Sequence, residues 1–171
     1  MTPAAKVAIL GTASSGKSTL AAALAGRYQT IWIPEYLREF VDTEGRVPQA
    51  EDQFHIAATQ RAREDAALAH ADHYLFCDTT PLMTAVYSRH YFGGIDAQLA
   101  LLAESHVQDY HMTLVTAPDI PWVADGLQRE SEAVSVIIHR MLLDELAARE
   151  VPYVLVSGDP DQRLSLVERY L

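Results

Sequence analysis

Five short apolar runs punctuate this chain, and the segments between them repeat apolar residues at helical spacing. The first run, Val7-Ala8-Ile9-Leu10, lies within Lys6–Thr12 and is closed by Gly11, which predicts a buried strand. Lys17–Tyr28 then sets Leu20, Leu24 and Tyr28 on one helical face. Thr30-Ile31-Trp32-Ile33 predicts a second strand, stopped by Pro34, with a short helix beginning near Glu35. From Pro48 to about Ala71, a stripe of Phe54, Ala57, Ala58, Arg61 and Ala62 predicts one long, partly exposed helix with Pro48 in its first turn. His73–Asp78 is a third strand, and Pro81–Tyr91 a helix broken by Gly93-Gly94. A short helix over about Ala97–His106 precedes the fourth strand, His111–Thr116. After a loop bracketed by Pro118 and Pro121, Val134–Glu150 predicts a helix, Pro152–Ser157 the fifth strand and Asp161–Leu171 the last helix. Strands alternating with helices predict an α/β fold, a five-stranded parallel sheet with helices on both faces, in one domain spanning residues 1–171.

Charge narrows the partners. The formal net charge is -10, and Lys6 and Lys17 are the only lysines. A broad nucleic-acid surface needs clustered cations, so none is expected. No apolar run approaches the roughly 20 residues of a membrane span. The N-terminus lacks a signal-peptide layout, and Cys77, the only cysteine, precludes an internal disulfide. The expectation is a cytoplasmic protein whose partner is a small molecule, with Cys77 a buried hydrophobe. The oligomeric state is not readable.

The chemistry begins at Gly11-Thr12-Ala13-Ser14-Ser15-Gly16-Lys17-Ser18, followed by Thr19, which matches G-x-x-x-x-G-K-[ST] between a strand and a helix. Polyphosphate oxygens require several convergent backbone amides, and glycines permit the curl that brings them together. The helix beginning near Lys17 turns its partial positive end to the same anion. Lys17 suits the β/γ oxygens of ATP, and Ser18 suits Mg²⁺. The motif predicts a P-loop NTPase fold binding ATP and Mg²⁺. An Asn-Lys-x-Asp guanine-reading motif is absent, which argues against a GTPase. An Asp-Glu pair after an apolar strand, usual in larger ATPases, is replaced by Phe76-Cys77-Asp78-Thr79. The small-kinase class remains, with a second substrate beside the γ-phosphate.

Ligands of a doubly wound sheet bind beyond the carboxyl ends of its strands. Glu35 occupies such an end, where a carboxylate orients an attacking hydroxyl or takes its proton. Arg38, three residues on, shares its helical face and suits either the substrate or the moving phosphoryl group. A surface Glu–Arg pair fits the same spacing. Asp78 ends the third strand, where three roles fit: ordering Mg²⁺ or its waters, bonding substrate hydroxyls, or capping the next helix through Thr79 or Thr80 amides.

Four segments together resemble the ribosylnicotinamide kinase domain of NadR-type proteins and its AAA_28-like relatives. They are Gly11–Thr19, Glu35-Tyr36-Leu37-Arg38-Glu39-Phe40, Cys77-Asp78-Thr79 and Trp122-Val123-Ala124-Asp125-Gly126-Leu127. The resemblance implies a nucleoside/nucleotide-kinase-like fold and transfer of the ATP γ-phosphate to the 5′-hydroxyl of nicotinamide riboside. It also implies site roles for Glu35 and Arg38, with Asp125 in a substrate-facing or lid segment. Two positions depart from the family pattern: Pro34 stands where an aromatic precedes the Glu-Tyr pair, and Gln128 separates Asp125-Gly126-Leu127 from Arg129. Strand parity points Trp32 to the same face as Pro34.

A lid is expected at about 118–133. Arg129, or Arg140 in its place, would close over the phosphates and exclude water; an exposed arginine paired with Glu130 or Glu132 is the alternative. Tyr87, Tyr91 and Trp122 suit a stacking platform, although Tyr87 and Tyr91 equally fit a core at helical spacing. The expected catalytic set is Lys17, Glu35, Arg38, Asp78 and Arg129. The expected substrate contacts are Glu35, Tyr36, Arg38, Asp78, Tyr87, Trp122 and Asp125, with Ser18 and Asp78 as metal ligands. Ser157-Gly158-Asp159-Pro160 fits either an adenine-side loop or a plain turn, and His70 with His73 lacks the further ligands of a zinc set.

Overall fold

The computed structural model describes residues 2–123 and 131–171. Strands β1 (Ala5–Leu10), β2 (Trp32–Ile33), β3 (Tyr74–Asp78), β4 (Met112–Thr116) and β5 (Val154–Val156) form one parallel sheet in the order β2-β3-β1-β4-β5. Between them run α1 (Lys17–Arg27), α2 (Tyr36–Glu44), α3 (Gln53–Leu68), α4 (Pro81–Phe92), α5 (Ala97–Glu104), α6 (His106–Asp109), α7 (Glu132–Ala148) and α8 (Pro160–Glu168). The central strand β1 sets Val7 beside Phe76 of β3 and Ile9 beside Leu114 of β4.

Strand parity sorts the core into two layers. Val7 and Ile9, with Phe76, Leu114 and Val156, pack on Leu20, Ala21 and Leu24 of α1 and Val167 of α8. Ala8 and Leu10, with Leu75, Cys77 and Val115, pack on Ala57 of α3, Leu82 and Val86 of α4, and Ile138 and Leu142 of α7. Every strand therefore ends at the same edge, between two covered faces. Cys77 is fully buried, and burial pushes its thiol well above the ordinary range, so it packs rather than reacts.

Several boundaries depart from the apolar pattern. Strand β2 is only Trp32-Ile33, because Pro34 has no N–H and Thr30 bonds through its side chain instead. Its Oγ1 donates to the Tyr74 carbonyl at 2.8 Å and accepts from Asp72 N–H at 2.9 Å. Trp32 packs with the α1 layer, on the side of the sheet opposite α3 and α4. The long helix predicted from Pro48 is a short 3₁₀ turn, Ala50–Asp52, followed by α3. Gln49 and Asp52 cap that turn reciprocally, with Gln49 N–H donating to Asp52 Oδ2 at 2.7 Å.

The buried face of α3 is Gln53, Ile56, Ala57, Gln60 and Glu64, one step round from the apolar stripe. Likewise the helix predicted over Ala97–His106 ends at Glu104, and His106 turns inward at the start of α6. Its imidazole lies between Thr80 Oγ1 (3.3 Å) and Thr113 Oγ1 (2.9 Å), and burial lowers its pKa to about 4. It is a neutral structural residue.

Glu64 is fully buried and accepts from Tyr110 Oη at 2.6 Å, with Lys6 Nζ at 3.5 Å. Burial outweighs these partners and raises its pKa from 4.5 to about 7. A carboxyl raised on folding contributes stability that is complete below pH 4.5 and is lost as pH rises through about 7. Glu64→Gln, which cannot ionise, is expected to flatten that decline and to gain up to about 3 kcal/mol over wild type at pH 8. Denaturant unfolding at pH 5 and pH 8 measures it. Parallel curves for the two proteins would remove Glu64 as the source.

Candidate active site

Between β1 and α1 the chain curls so tightly that side chains are excluded at two points. Gly11 has φ 155°, and a Cβ there would lie 2.1 Å from Thr116 Oγ1. Gly16 has φ 87° and stands as the N-cap of α1 without a side-chain cap, which leaves the amides of the first helical turn turned to the cleft. Ser14 also adopts a left-handed conformation, φ 60°. Ser15 Oγ donates to the Thr12 carbonyl at 2.6 Å and lies 2.7 Å from Thr116 Oγ1, tying the loop to the end of β4. Lys17 Nζ, largely buried, donates to the Thr12 carbonyl at 3.0 Å, so its ammonium is held inside the curl.

A second brace comes from α8. Arg163 is 3% exposed. Its guanidinium donates to the carbonyls of Ser15 (2.6 Å), Ala117 (2.9 Å) and Gly158 (2.9 Å), and to Asp119 Oδ1 (2.5 Å). Asp119 Oδ2 in turn accepts from Gly158 N–H at 2.8 Å. The loops after β4 and β5 and the phosphate loop thus share one buried cation. Sequence patterning did not single out Arg163, whose neighbours on α8 look like an ordinary amphipathic turn.

Asp78, fully buried at the end of β3, accepts from Ser18 Oγ at 2.7 Å through Oδ2, and its Oδ1 has no partner among the described residues. Asp78 does not cap α4: Thr79 N–H donates to the Ile9 carbonyl at 2.9 Å, and neither carboxylate oxygen accepts from a helix amide among the described residues. An orphaned carboxylate oxygen beside a hydroxyl, next to an anion cradle, is a donor set suited to a hard divalent cation such as Mg²⁺.

Two cavities meet at Glu35. One, about 340 Å³, is lined by Ala13–Thr19, Glu35, Arg38, Ile120, Pro121 and Val123. The other, about 250 Å³ and largely apolar, runs between α2, α3 and α4. Its wall includes Glu35, Val41, Gln49, Gln53, Gln60, Thr79, Thr84, Tyr87, Tyr91 and Phe92. Glu35 stands in both walls. Tyr87 and Tyr91 are stacked, with centroids 6.2 Å apart and ring planes 12° from parallel. Thr79, in a left-handed conformation (φ 74°), carries a buried Oγ1 without a partner among the described residues.

The structure brings together Lys17, Ser18, Glu35 and Arg38 around the phosphate loop, with Asp78 directly behind Ser18 and Tyr87 across the second cavity. It does not bring Tyr36 there. That ring packs edge-on to Phe40 and His55, beneath the Arg63 guanidinium at 4.7 Å, because its position on α2 faces α3. Trp122 is half-buried and lines neither cavity among the described residues. Val123 N–H donates to Ser14 Oγ at 2.8 Å, so the segment after β4 touches the phosphate loop where it enters. Asp125 and Arg129 lie outside the described residues. The polar walls from Gln53, Gln60, Thr79 and Thr84 escaped sequence reasoning, since buried polar residues interrupt apolar periodicity.

Residues 6–163 match the AAA domain family AAA_28. The chain belongs to this family. Among its relatives is the trifunctional NAD biosynthesis/regulator protein NadR of Salmonella typhimurium, 30% identical over 163 residues. That match covers 92% of this chain and 39% of NadR, so the chain spans about two fifths of the relative's length. Two solved NadR structures, one with NAD and AMP-PNP and one with NR, superpose with TM-scores of 0.79 and 0.78 at 22% and 21% identity. They cover 98% and 96% of this chain and 49% of each NadR chain. Thymidylate kinase from Candida albicans superposes with a TM-score of 0.70 at 14% identity, over 98% of this chain and 91% of that one. The fold is the nucleoside/nucleotide-kinase-like P-loop fold, with its five-stranded parallel sheet in the order 2-3-1-4-5. No helix among the described residues is long and apolar enough to cross a membrane.

Proposed function

We propose that this protein is an ATP–Mg²⁺-dependent kinase that phosphorylates a nucleoside hydroxyl, with the 5′-hydroxyl of nicotinamide riboside the first acceptor to test. The observation that carries this reading is the position of Glu35 in the wall common to the phosphate cleft and the apolar cavity. An acceptor in the second cavity presents its hydroxyl to Glu35 beside the γ-phosphate. The hydroxyl oxygen attacks the γ-phosphorus as the bond to the β–γ bridging oxygen breaks. ADP retains that electron pair, and the hydroxyl proton passes to the Glu35 carboxylate. Lys17 and the loop amides hold the phosphates. Arg38, with Arg129 as the proposed lid cation, faces the charge spread over the equatorial oxygens. Ser18 and Asp78 would hold Mg²⁺, directly or through water, and the ion when bound supplies countercharge to the β- and γ-oxygens.

The fold is shared by kinases of different acceptors, so the cavity decides the class. Among the described residues lining it, Glu35 is the charged one, and no lysine, arginine or histidine is present. A monophosphate would bring close to two negative charges beside that carboxylate. A cationic pyridinium instead gains about 0.5–2 kcal/mol against the faces of Tyr87 or Tyr91. This favours a nucleoside over a nucleotide. The test incubates the protein with ATP–Mg²⁺ and, separately, nicotinamide riboside, adenosine, thymidine and thymidine monophosphate, and follows ADP release and product mass. Acceptor-stimulated ADP release with a phosphorylated riboside is expected. Phosphorylation of the monophosphate alone would overturn the nucleoside reading, and tight ATP binding without transfer would make the protein an ATP-binding regulatory module.

A further inference from the structure

Glu35 stands at the end of β2, where the chain turns from strand into helix. It is the N-cap of α2, that helix has no side-chain cap of its own, and Pro34 before it has no N–H to offer. Its flanking peptides are bonded from another helix. Gln60, on α3, is 3% exposed. Its Oε1 accepts from Tyr36 N–H at 2.7 Å, and its Nε2 donates to the carbonyls of Pro34 and Asp78, each at 3.3 Å. The opposite amide orientation would set Oε1 against two carbonyls, so the three partners define one orientation.

The geometry points to Gln60 as a positioning residue that holds Glu35 in register with Asp78, and so aligns the hydroxyl-orienting carboxylate with the metal-side carboxylate. Pro34 and Tyr36 flank Glu35, and one amide group bonds both of their peptide units. Its remaining N–H reaches the peptide of Asp78, whose side chain holds Ser18 of the phosphate loop. The ends of β2 and β3, which carry the two carboxylates, are thereby joined at the floor of the acceptor cavity that Gln60 also lines. With both N–H groups committed to backbone, Gln60 acts on the reaction through Glu35. A misplacement of about 1 Å at a reacting group costs on the order of 100-fold in rate, which sets the scale of the effect. Its effect on rate rests on the kinase reading above; the clamp itself does not.

Two variants of the full chain test it. Gln60→Met keeps the volume and removes all three bonds. Gln60→Glu keeps the acceptor for Tyr36 N–H but, when ionised, offers no proton to Pro34 or Asp78. With nicotinamide riboside as acceptor, kcat is expected to fall about 10- to 100-fold in the Met variant, while KM for the riboside and Kd for AMP-PNP stay within about twofold. Added to Glu35→Gln, Gln60→Met should cost little more, because both act at one step. The Glu variant should recover activity relative to wild type as pH falls and its carboxyl regains a donor. Hydrogen exchange at the Tyr36 amide should quicken in the Met variant and stay slow in the Glu variant. A rise in riboside KM with kcat intact would overturn the proposal in favour of direct substrate contact, and fully additive losses would reduce Gln60 to a structural residue. If wild type transfers phosphate to no nucleoside, the kinase reading falls, and the exchange measurement still decides: unchanged Tyr36 exchange in the Met variant overturns the clamp as well. Should the Met variant not fold, the pH response of the Glu variant serves, and its absence would likewise overturn the proposal.

Discussion

Glu35→Gln is expected to slow phosphoryl transfer by about 10²- to 10⁴-fold, the range contributed by a positioned general base. The substitution conserves size and leaves an oxygen able to accept the hydroxyl hydrogen bond, but an amide cannot take up the proton. Nucleotide affinity should hold or improve slightly, since one negative charge leaves the wall of the phosphate cleft. Single-turnover transfer, with AMP-PNP titration as the binding control, separates the two quantities. A loss shared equally between affinity and rate would mean that Glu35 shapes the cleft rather than serves the hydroxyl. Undiminished turnover would remove it from the mechanism.

The second large effect is structural in origin. In Arg163→Met, the carbonyls of Ser15, Ala117 and Gly158 lose their donor, and Asp119 loses its cation. Removing one partner of such a buried charged network costs about 3–5 kcal/mol. The phosphate loop is one of the elements released, so affinity for AMP-PNP should drop at least about tenfold at temperatures where the variant remains folded. Arg163→Lys should rescue little, because one ammonium cannot span carbonyls that a planar guanidinium reaches in different directions. Denaturant unfolding and nucleotide titration measure the two parts. Loss of stability below about 1 kcal/mol would show that solvent replaces the guanidinium at little cost.

The acceptor cavity illustrates how sequence and structure divide the information. Glu35 and Asp78 were legible because strand ends in a doubly wound sheet converge, whatever the intervening packing. Tyr36 is an expected substrate contact in the same segment as Glu35, yet one step along a helix turns a side chain by about 100°, and its ring faces His55 and Arg63. Tyr87 fitted core and platform alike at helical spacing, and in the structure it packs against the core while its ring lines the cavity. The stripe on α3 was misplaced for a related reason. The predicted stripe of Phe54, Ala57, Ala58, Arg61 and Ala62 shares only Ala57 with the buried face, which also carries Gln53, Ile56, Gln60 and Glu64. A buried amide or carboxyl is tolerable only where specific partners meet it, and for Gln60 and Glu64 the hydrogen-bond partners lie 18 to 46 residues away in the chain.

Local chemistry alone therefore determined the phosphate loop, the strand and helix order, the parallel sheet and the two strand-end carboxylates. Each follows from interactions within a few residues or from the alternation of apolar runs. Only the tertiary structure decided that Arg163 braces that loop, that Gln60 joins Pro34, Tyr36 and Asp78, and that Glu35 separates two cavities. Those features depend on hydrogen bonds between residues 18 to 148 positions apart. No periodicity along the chain records such pairings, because they come into being only when the helices close over the two faces of the sheet.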